Sequence, residues 1–272
     1  MGAYLDSVRR VVVKVGSSTL THSTGKLNLR RIEQLVTALA DLRNSGREVV
    51  LVTSGAVAAG MDALGLSSRP HGTEEKQAVS AVGQCLLTHI YDKMFGEYGL
   101  SVAQLLLTRS VFEEEVTRRN AGNTFARLFD YGVVPIVNEN DSISTYELES
   151  MNGFGDNDRL SAYVALLTNA DLLILLSDID GLFDSDPHSN PDARLIPVVN
   201  GIDDSLRALA GGAGSAVGTG GMASKLLAAE MLLKEGRDMV IANGSDPSVI
   251  TRICSGEKEG TLFSVKGGKA DA

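Results

Sequence analysis

Short apolar runs alternate with longer amphipathic segments along the chain. The runs VVVKV (11–15) and REVVLVTSG (47–55) are rich in β-branched residues, which is typical of buried strands. The segment between them, LRRIEQLVTALADLRNSG (29–46), carries its apolar residues at the 3.6-residue period of an α-helix. It ends in Gly46, and glycine is common just beyond a helix C-terminus. The pattern therefore predicts a strand, a helix and a second strand in this order.

The alternation continues through most of the remaining chain. It predicts, in order, helices at 56–66 and about 74–98, a strand at 100–107, a helical stretch up to Tyr131, a strand at 133–141, a helix at 156–170, a strand at 171–183, a helix at 222–235, a strand at 238–243 and a short last helix. Strands that alternate with helices favour a parallel sheet covered by helices. We therefore expect an α/β fold with an open, mostly parallel sheet sandwiched by helices.

The length of 272 residues allows one large α/β domain or two small ones. No clear boundary divides the chain, so we expect a single domain over 1–263. Its lobes would span about 1–170 and about 171–263. The segment SVKGGKADA (264–272) is polar and glycine-rich, and we expect it to be a C-terminal tail.

Composition narrows the class of protein and of partner. A formal charge of −9 and a pI of about 5.0 argue against nucleic acid or an anionic membrane as the main partner. No apolar stretch approaches the ~20 residues that a membrane span needs. The two cysteines, Cys85 and Cys254, are far apart and lack a metal-like spacing. We expect both to be buried apolar residues of a protein in the reducing cytoplasm.

Polar and glycine-rich residues follow four of the predicted strands. In open α/β sheets, ligands bind beyond the carboxyl ends of the strands, so these segments predict a ligand crevice. The four segments are KVGSSTL (14–20), TSGAVAAG (53–60), NEND (138–141) and SDIDGLFDSDP (177–187).

Lys14 interrupts a β-branched run. A buried lysine is costly unless it is paired or faces an anion. The alternative is a lysine on an exposed face whose ammonium reaches water. Gly16 follows two residues later and lets backbone amides approach a phosphate closely. Lys14 and Gly16 together favour a phosphate-binding cation at the end of the first strand.

The segment GSAVGTGGMASKLLAAEML (214–232) has four glycines, a lysine and then a helical run. It is not a Walker A motif, because Lys225 follows Ser224 rather than a glycine. GTGGMA fits the looser dinucleotide pattern G-x-G-x-x-[GA], but no strand directly precedes it, as that fingerprint requires. An NAD-dependent oxidoreductase is therefore not favoured.

Acids and amides cluster in NEND (138–141) and GDNDRL (155–160). They favour recognition of an ammonium-bearing substrate, together with one aspartate that orients catalytic cations. Taken singly, Asp156 also suits a helix N-cap and Asp158 a first-turn acid. Ser54 and the amides after it suit a carboxylate or phosphate at a helix N-terminus. Taken alone, the segment is better explained by an ordinary strand–helix turn with a serine N-cap.

Six motifs in this order resemble the amino acid kinase family, over about residues 8–263. They are VVKVGSSTL, VTSGAVAAG, VPIVNEND, GFGDNDRLSA, LLSDIDGLF and GTGGMASKLLAA. Within that family the resemblance is to the branch that phosphorylates L-glutamate in proline biosynthesis. The sequence resembles a short form of that branch, without the C-terminal PUA domain that many bacterial members carry.

The resemblance implies transfer of the ATP γ-phosphoryl group to the γ-carboxylate of L-glutamate, with Mg²⁺ as cofactor. It implies that Lys14 and Lys225 stabilise the transferring group and that Asp158 holds both lysines. The implied glutamate-binding residues are Ser54, Gly55, Ala56, Asn138, Asp141, Asp156 and Asn157, with Asp141 as acceptor for the ammonium. The implied ATP-binding residues are Lys14, Gly16, Ser177, Asp178, Thr219, Gly220, Gly221, Met222 and Lys225. No protein ligand for a metal is implied.

The resemblance also implies proline as a feedback inhibitor, on the loop 139–156, and a homo-oligomer, either dimer or tetramer. Acetylglutamate, aspartate, carbamate and uridylate kinases share the expected fold and stay as alternatives, although NENDSIS followed by GDND favours glutamate. A non-catalytic sensing module on the same fold is a further alternative. The presence of both lysines and Asp158 argues against it.

Overall fold

The computed structural model describes residues 8–143, 157–187, 189–212 and 221–265. Its strands are β1 (Arg10–Val15), β2 (Glu48–Thr53), β3 (Val102–Leu107), β4 (Val134–Glu139), β5 (Leu172–Ser177), β6 (Val198–Val199), β7 (Asp238–Asn243) and β8 (Thr261–Phe263). Its helices are α1 (Ser17–Leu20), α2 (Leu29–Asn44), α3 (Ala56–Leu64), α4 (Thr73–Gly96), α5 (Ser110–Glu113), α6 (Glu115–Asp130), α7 (Asn157–Leu167), α8 (Asp204–Gly212), α9 (Met222–Lys234) and α10 (Val249–Cys254).

The strands form one eight-stranded sheet in the order β3-β4-β2-β1-β5-β7-β8-β6. All neighbouring pairs in it are parallel except β7 and β8, which pair antiparallel. The predicted α/β fold with an open, mostly parallel sheet is therefore confirmed. Because β1 lies between β2 and β5, its carboxyl end is at the centre of the sheet edge where ligands bind in such folds. The division into two lobes stays a prediction.

Several predicted boundaries are wrong. The strand predicted over 171–183 ends at Ser177, where the chain turns. The helical stretch before Tyr131 is two helices, because Glu114 between them is extended (φ −92°, ψ 124°). The pattern missed α8 and the two short strands β6 and β8, which span two and three residues. Ser264 is buried and donates to the Val199 carbonyl, so pairing runs one residue into the predicted tail.

Two apolar layers cover the sheet, one on each face. On β1 the side chains alternate: Val11 and Val13 pack with α2, α4 and α10, whereas Val12 packs with α6, α7 and α9. Because successive side chains of a strand point to opposite faces, Lys14 lies on the same face as Val12. The lysine is therefore directed towards the layer that contains α7 and α9.

Helices α3 and α4 approach each other closely through two glycines. A Cβ on Gly83 would lie 1.8 Å from the Ala56 carbonyl oxygen and 2.4 Å from the Gly60 nitrogen. A Cβ on Gly60 would lie 2.0 Å from the Val79 carbonyl oxygen. Neither position accommodates a side chain, so α4 is held firmly against α3.

The cysteine prediction is half right. Cys254 is buried at the end of α10, and burial raises the pKa of its thiol to about 11. Cys85 is exposed on α4, so its predicted burial is wrong. Across the described ranges, every helix is too short or too polar to cross a membrane.

Candidate active site

Two lysines share one buried carboxylate. The Lys14 ammonium lies 2.6 Å from Asp158 Oδ1, and the Lys225 ammonium donates to Asp158 Oδ2 at 2.9 Å. Asp158 is 0% exposed, and each lysine is 6% exposed. The three residues that the sequence predicted to act together are therefore in direct contact.

Three elements bring these side chains to one point. Lys14 comes from the carboxyl end of the central strand β1, Asp158 from the first turn of α7, and Lys225 from the first turn of α9. Helices α7 and α9 pack against each other on the face of the sheet where Lys14 lies. The partial positive charge of the helix N-termini adds to that of the ammonium groups.

Taken together, these three side chains carry a net positive charge, because they comprise two ammonium groups and one carboxylate. Burial alone would raise the pKa of Asp158, but the attraction and hydrogen bonds of Lys14 and Lys225 outweigh it and hold that pKa below its usual range. The carboxylate is therefore ionised wherever the protein is folded near neutral pH. The surplus positive charge suits an anion whose charge is spread over several oxygens, as in a transferring phosphoryl group.

Gly16 lies beside this cluster. A Cβ at that position would lie 3.5 Å from the Lys14 ammonium nitrogen, so the backbone at Gly16 adjoins the lysine head. An anion held by Lys14 would be within reach of this backbone. The assignment of Gly16 to ATP stays a prediction.

A second cluster joins three predicted glutamate-binding residues. The Asn157 Nδ2 atom donates to Ser54 Oγ at 2.7 Å, to the Thr53 carbonyl at 3.0 Å and to Asn138 Oδ1 at 3.1 Å. Asn157 directly precedes Asp158, so the amide cluster and the lysine cluster are adjacent.

The turn between β2 and α3 has the backbone that the sequence SGA suggests. Gly55 has φ +102°, a left-handed conformation that favours glycine, and it caps α3. Ala56 is the first residue of that helix and is buried. Ser54 and the first amides of α3 thus stand together at the carboxyl end of β2, as predicted for a carboxylate site.

Asp141 lies after β4, and its Oδ2 accepts a hydrogen bond of 3.0 Å from Ser80 Oγ on α4. The structure thus places the predicted ammonium acceptor against α4. Asn138, three residues earlier, belongs to the amide cluster.

The predicted nucleotide residues lie on the other side of β1. Ser177 ends β5, the neighbour of β1, and its Oγ donates to Asp178 Oδ1 at 3.1 Å. Gly221 caps α9 and Met222 is its first residue, as the sequence predicted for the loop that precedes Lys225. Asp156, Thr219 and Gly220 lie outside the described residues.

A model of the amino acid kinase family matches residues 9–243. This chain belongs to the amino acid kinase family. A protein of Clostridium perfringens named glutamate 5-kinase is 52% identical over 265 residues, which cover 97% of this chain and 98% of that protein. A protein of Clostridium acetobutylicum with the same name is 53% identical over 263 residues, which cover 97% of each. The predicted family is confirmed.

The fold of the family is also found in a solved structure of UMP kinase from Bacillus anthracis. The match has a TM-score of 0.63 at 20% identity and covers 95% of this chain and 97% of that one. At this identity the likeness shows the fold alone. The mostly parallel α/β fold of this chain is therefore also present in that protein.

Helix α4 supplies contacts that the sequence analysis did not predict. Its polar residues Ser80, Gln84 and Tyr91 are buried and bond to Asp141, Asn138 and Thr53. The available signal was their position on the buried face, because they share it with the apolar residues Val79, Leu87 and Phe95.

Proposed function

We propose that this chain transfers the γ-phosphoryl group of ATP to the γ-carboxylate of L-glutamate, giving γ-glutamyl phosphate and ADP, the first step of proline biosynthesis. The observation that carries the proposal is the contact of Lys14 and Lys225 with Asp158, next to the amide cluster of Asn157. The identity of about half the residues with proteins named glutamate 5-kinase supports it.

The chemistry needs no general base. A carboxylate with a pKa of about 4.3 is already ionised near neutral pH. Its oxygen forms a bond to the γ-phosphorus, and the bond from that phosphorus to the β,γ-bridging oxygen breaks, so that the electron pair leaves on ADP. Lys14 and Lys225 stabilise the negative charge that spreads over the equatorial oxygens. Asp158 holds both ammonium groups in place before the reaction, so they need no rearrangement.

The amide cluster binds the amino acid. Ser54 Oγ and the first amides of α3, at Gly55 and Ala56, are donors for a carboxylate. Asp141 and the carbonyl oxygen of the Asn157 side chain are acceptors for the α-ammonium group. Since Asn157 and Asp158 are consecutive, a glutamate bound at the amides presents its side chain towards the lysines.

Mg²⁺ fits this site as an ion carried by ATP. In the described ranges, no three His, Cys, Asp or Glu side chains stand together as a metal would require, and Asp158 is engaged by the two lysines. The phosphate oxygens of ATP supply most of the ligands that Mg²⁺ prefers. When bound, the ion would neutralise phosphate charge, and we assign no residue of this chain to it.

Trapping with hydroxylamine tests the proposal, because hydroxylamine converts an acyl phosphate into a stable hydroxamate. We expect hydroxamate formation with ATP, Mg²⁺ and L-glutamate, and much less with N-acetylglutamate, L-aspartate or carbamate as acceptor. Because phosphorylation of UMP gives no acyl phosphate, its turnover is measured by the release of ADP. Turnover of N-acetylglutamate or UMP in preference to L-glutamate would overturn the choice of substrate.

We also propose that proline competes with L-glutamate and that the chain acts as a homo-oligomer, dimer or tetramer, in the cytoplasm. The loop 139–156, on which the proline proposal rests, lies largely outside the described residues. An unchanged rate at millimolar proline would refute the first part, and a monomer mass by light scattering the second. The use of intracellular ATP supports the location, which cell fractionation tests.

A further inference from the structure

Helix α4 contacts three segments of the predicted glutamate site through side chains on one face. Ser80 reaches Asp141, Gln84 reaches Asn138 and Tyr91 reaches Thr53, with donor–acceptor distances of 3.0, 2.8 and 2.8 Å. The close packing of Gly83 on α3 fixes the distance of this face from the site. Of these three residues, Gln84 bonds to the side-chain amide of Asn138, and that amide bonds in turn to the side-chain amide of Asn157.

Gln84 determines which way the Asn138 amide faces. The Asn138 Nδ2 atom donates to Gln84 Oε1 at 2.8 Å, so Asn138 Oδ1 faces the other way. That oxygen accepts from the Glu139 backbone N–H at 2.9 Å and from Asn157 Nδ2 at 3.1 Å. Asn157 therefore has its NH₂ group turned towards Asn138, and its Oδ1, the other atom of the planar amide, points away from Asn138.

The orientation of Gln84 is fixed in turn by Thr88, one turn along α4. The Gln84 Nε2 atom donates to Thr88 Oγ1 at 3.2 Å, and the Thr88 hydroxyl donates to the Gln84 carbonyl at 2.9 Å. Gln104 Nε2 on β3 donates to the same hydroxyl oxygen at 2.9 Å. With its one proton committed, Thr88 Oγ1 acts as acceptor towards both amides, so Gln84 keeps Nε2 outward and Oε1 towards Asn138.

We propose that Gln84 is a positioning residue that orients Asn138, steadies Asn157 through it, and thereby raises the affinity for a substrate with a free α-ammonium group. Resting on the proposed function, this assigns the Asn157 Oδ1 atom as an ammonium acceptor. Without the Gln84 acceptor, Asn138 Nδ2 is buried without a partner, which disfavours the present position of the Asn138 side chain. Rotation of the amide in place would set its NH₂ group against the Glu139 N–H, so the Asn138 side chain shifts instead, and Asn157 Nδ2 loses its bond to Asn138 Oδ1. Asn157 then keeps only its bonds to Thr53 and Ser54, and its Oδ1 is held less firmly towards the ammonium.

Two substitutions at Gln84 separate orientation from packing. Gln84→Leu has a similar volume and removes the acceptor, whereas Gln84→Glu retains an oxygen facing Asn138. We expect Gln84→Leu to raise KM for L-glutamate about tenfold, the scale of one buried hydrogen bond, with kcat and KM for ATP little changed. Gln84→Glu should restore most of the affinity. Cys85→Ala, on the adjacent exposed position, is the control and should leave all three constants unchanged.

Glutarate, which is glutamate without the α-ammonium group, gives the decisive readout. Its Ki as a competitive inhibitor should be the same in wild type and in Gln84→Leu, while KM for L-glutamate rises. The proposal would be overturned if Gln84→Leu weakened the binding of glutarate and L-glutamate equally, or if it left KM for L-glutamate unchanged. A rise in KM for ATP together with a lowered Tm in this variant would also overturn it. If the wild type does not phosphorylate L-glutamate, the proposed function fails first, and this inference fails with it.

Discussion

Lys225 donates a hydrogen bond of 2.9 Å to Asp158, which lies 67 residues earlier in the chain. The other oxygen of the same carboxylate is 2.6 Å from Lys14 on the central strand. One buried aspartate therefore orients two cations from distant parts of the sequence, and the loop before Lys225 needs no second lysine of its own.

Removal of the Asp158 charge should destabilise the fold as well as abolish activity. Asp158→Asn removes the carboxylate charge that both buried ammonium groups contact, and breaking a buried ion pair costs about 3–5 kcal/mol. Urea unfolding measures the loss. Asp62→Asn is the matched control, because Asp62 is partly exposed and its distance to Lys26 is 3.5 Å, so we expect a change of at most about 1 kcal/mol. Equal effects of the two substitutions would contradict the account.

The Asp158 contribution should depend on pH in the acid range. Because the folded-state pKa is lowered, the stabilisation is fully present above the unfolded pKa of about 3.9 and is lost as pH falls through the folded value. The difference in unfolding free energy between wild type and Asp158→Asn should be constant near neutrality and shrink below that range. If this difference in unfolding free energy changed between pH 6 and 8, a group other than Asp158 would be titrating.

Each lysine should affect turnover more than binding. Lys225→Met and Lys14→Met keep the side-chain volume and remove one charge from the transition state, so kcat should fall about 10²–10³-fold. The affinity for L-glutamate, measured by calorimetry, should change little. Lys234→Met, on the exposed end of α9, is the control and should retain wild-type kcat. Unchanged kcat in Lys225→Met would refute the role of that lysine.

The Tyr91 hydroxyl should stabilise the turn that holds Ser54. Burial raises the pKa of Tyr91, and its hydrogen bond to Thr53 offsets only part of this, so the hydroxyl stays protonated. Thr53 donates its own proton to the Ser54 carbonyl, which leaves Tyr91 as the donor in their 2.8 Å contact. Tyr91→Phe should lower the unfolding free energy by about 1 kcal/mol.

A matched tyrosine–threonine pair on the surface provides the control for that loss. Tyr98 and Thr37 have hydroxyls 2.7 Å apart in an exposed position, where water replaces the lost partner. Tyr98→Phe should therefore change stability by only a few tenths of a kcal/mol. A larger loss in Tyr98→Phe than in Tyr91→Phe would argue against a special role for the buried pair.

Helix α4 should not tolerate a side chain at its contact with α3. Gly83→Ala would bring a Cβ within 1.8 Å of a backbone oxygen, so we expect a loss of about 1–3 kcal/mol and a higher KM for L-glutamate. Gly96→Ala, near the end of the same helix, has no atom within 4 Å of the added Cβ. It should be neutral or slightly stabilising, since alanine favours helix. The Tm values of Gly83→Ala and Gly96→Ala measure the difference between the two positions.

Local pattern predicted much of the fold, because most strands are continuous apolar runs and most helices have clear periodicity. It missed β6 and β8, whose two and three residues are too short to give a pattern. The antiparallel direction of β8 follows from its tertiary pairing with β7, which no local signal encodes.

The residues of the candidate site likewise differ in whether a local sequence signal predicted them. Lys14 was identified from its own surroundings, as a lysine inside a β-branched run. The contact of Lys225 with Asp158 followed only from the family resemblance, since 67 residues separate them. Gln84 was missed because a glutamine on a long helix is commonly exposed. The apolar residues that share its face were the available signal, and the packing of Gly83 on α3 shows that this face is buried.

In the proposed reaction, the γ-carboxylate of glutamate attacks the γ-phosphorus of ATP. L-Glutamate labelled with ¹⁸O in its γ-carboxylate tests this directly. When hydroxylamine cleaves the acyl carbon–oxygen bond of the product, the phosphate released retains the bridging oxygen. We expect one labelled oxygen in each phosphate, measured by mass spectrometry, and the rate of this transfer should fall with kcat in Lys225→Met. Unlabelled phosphate, as formed by attack of water on ATP, would contradict it.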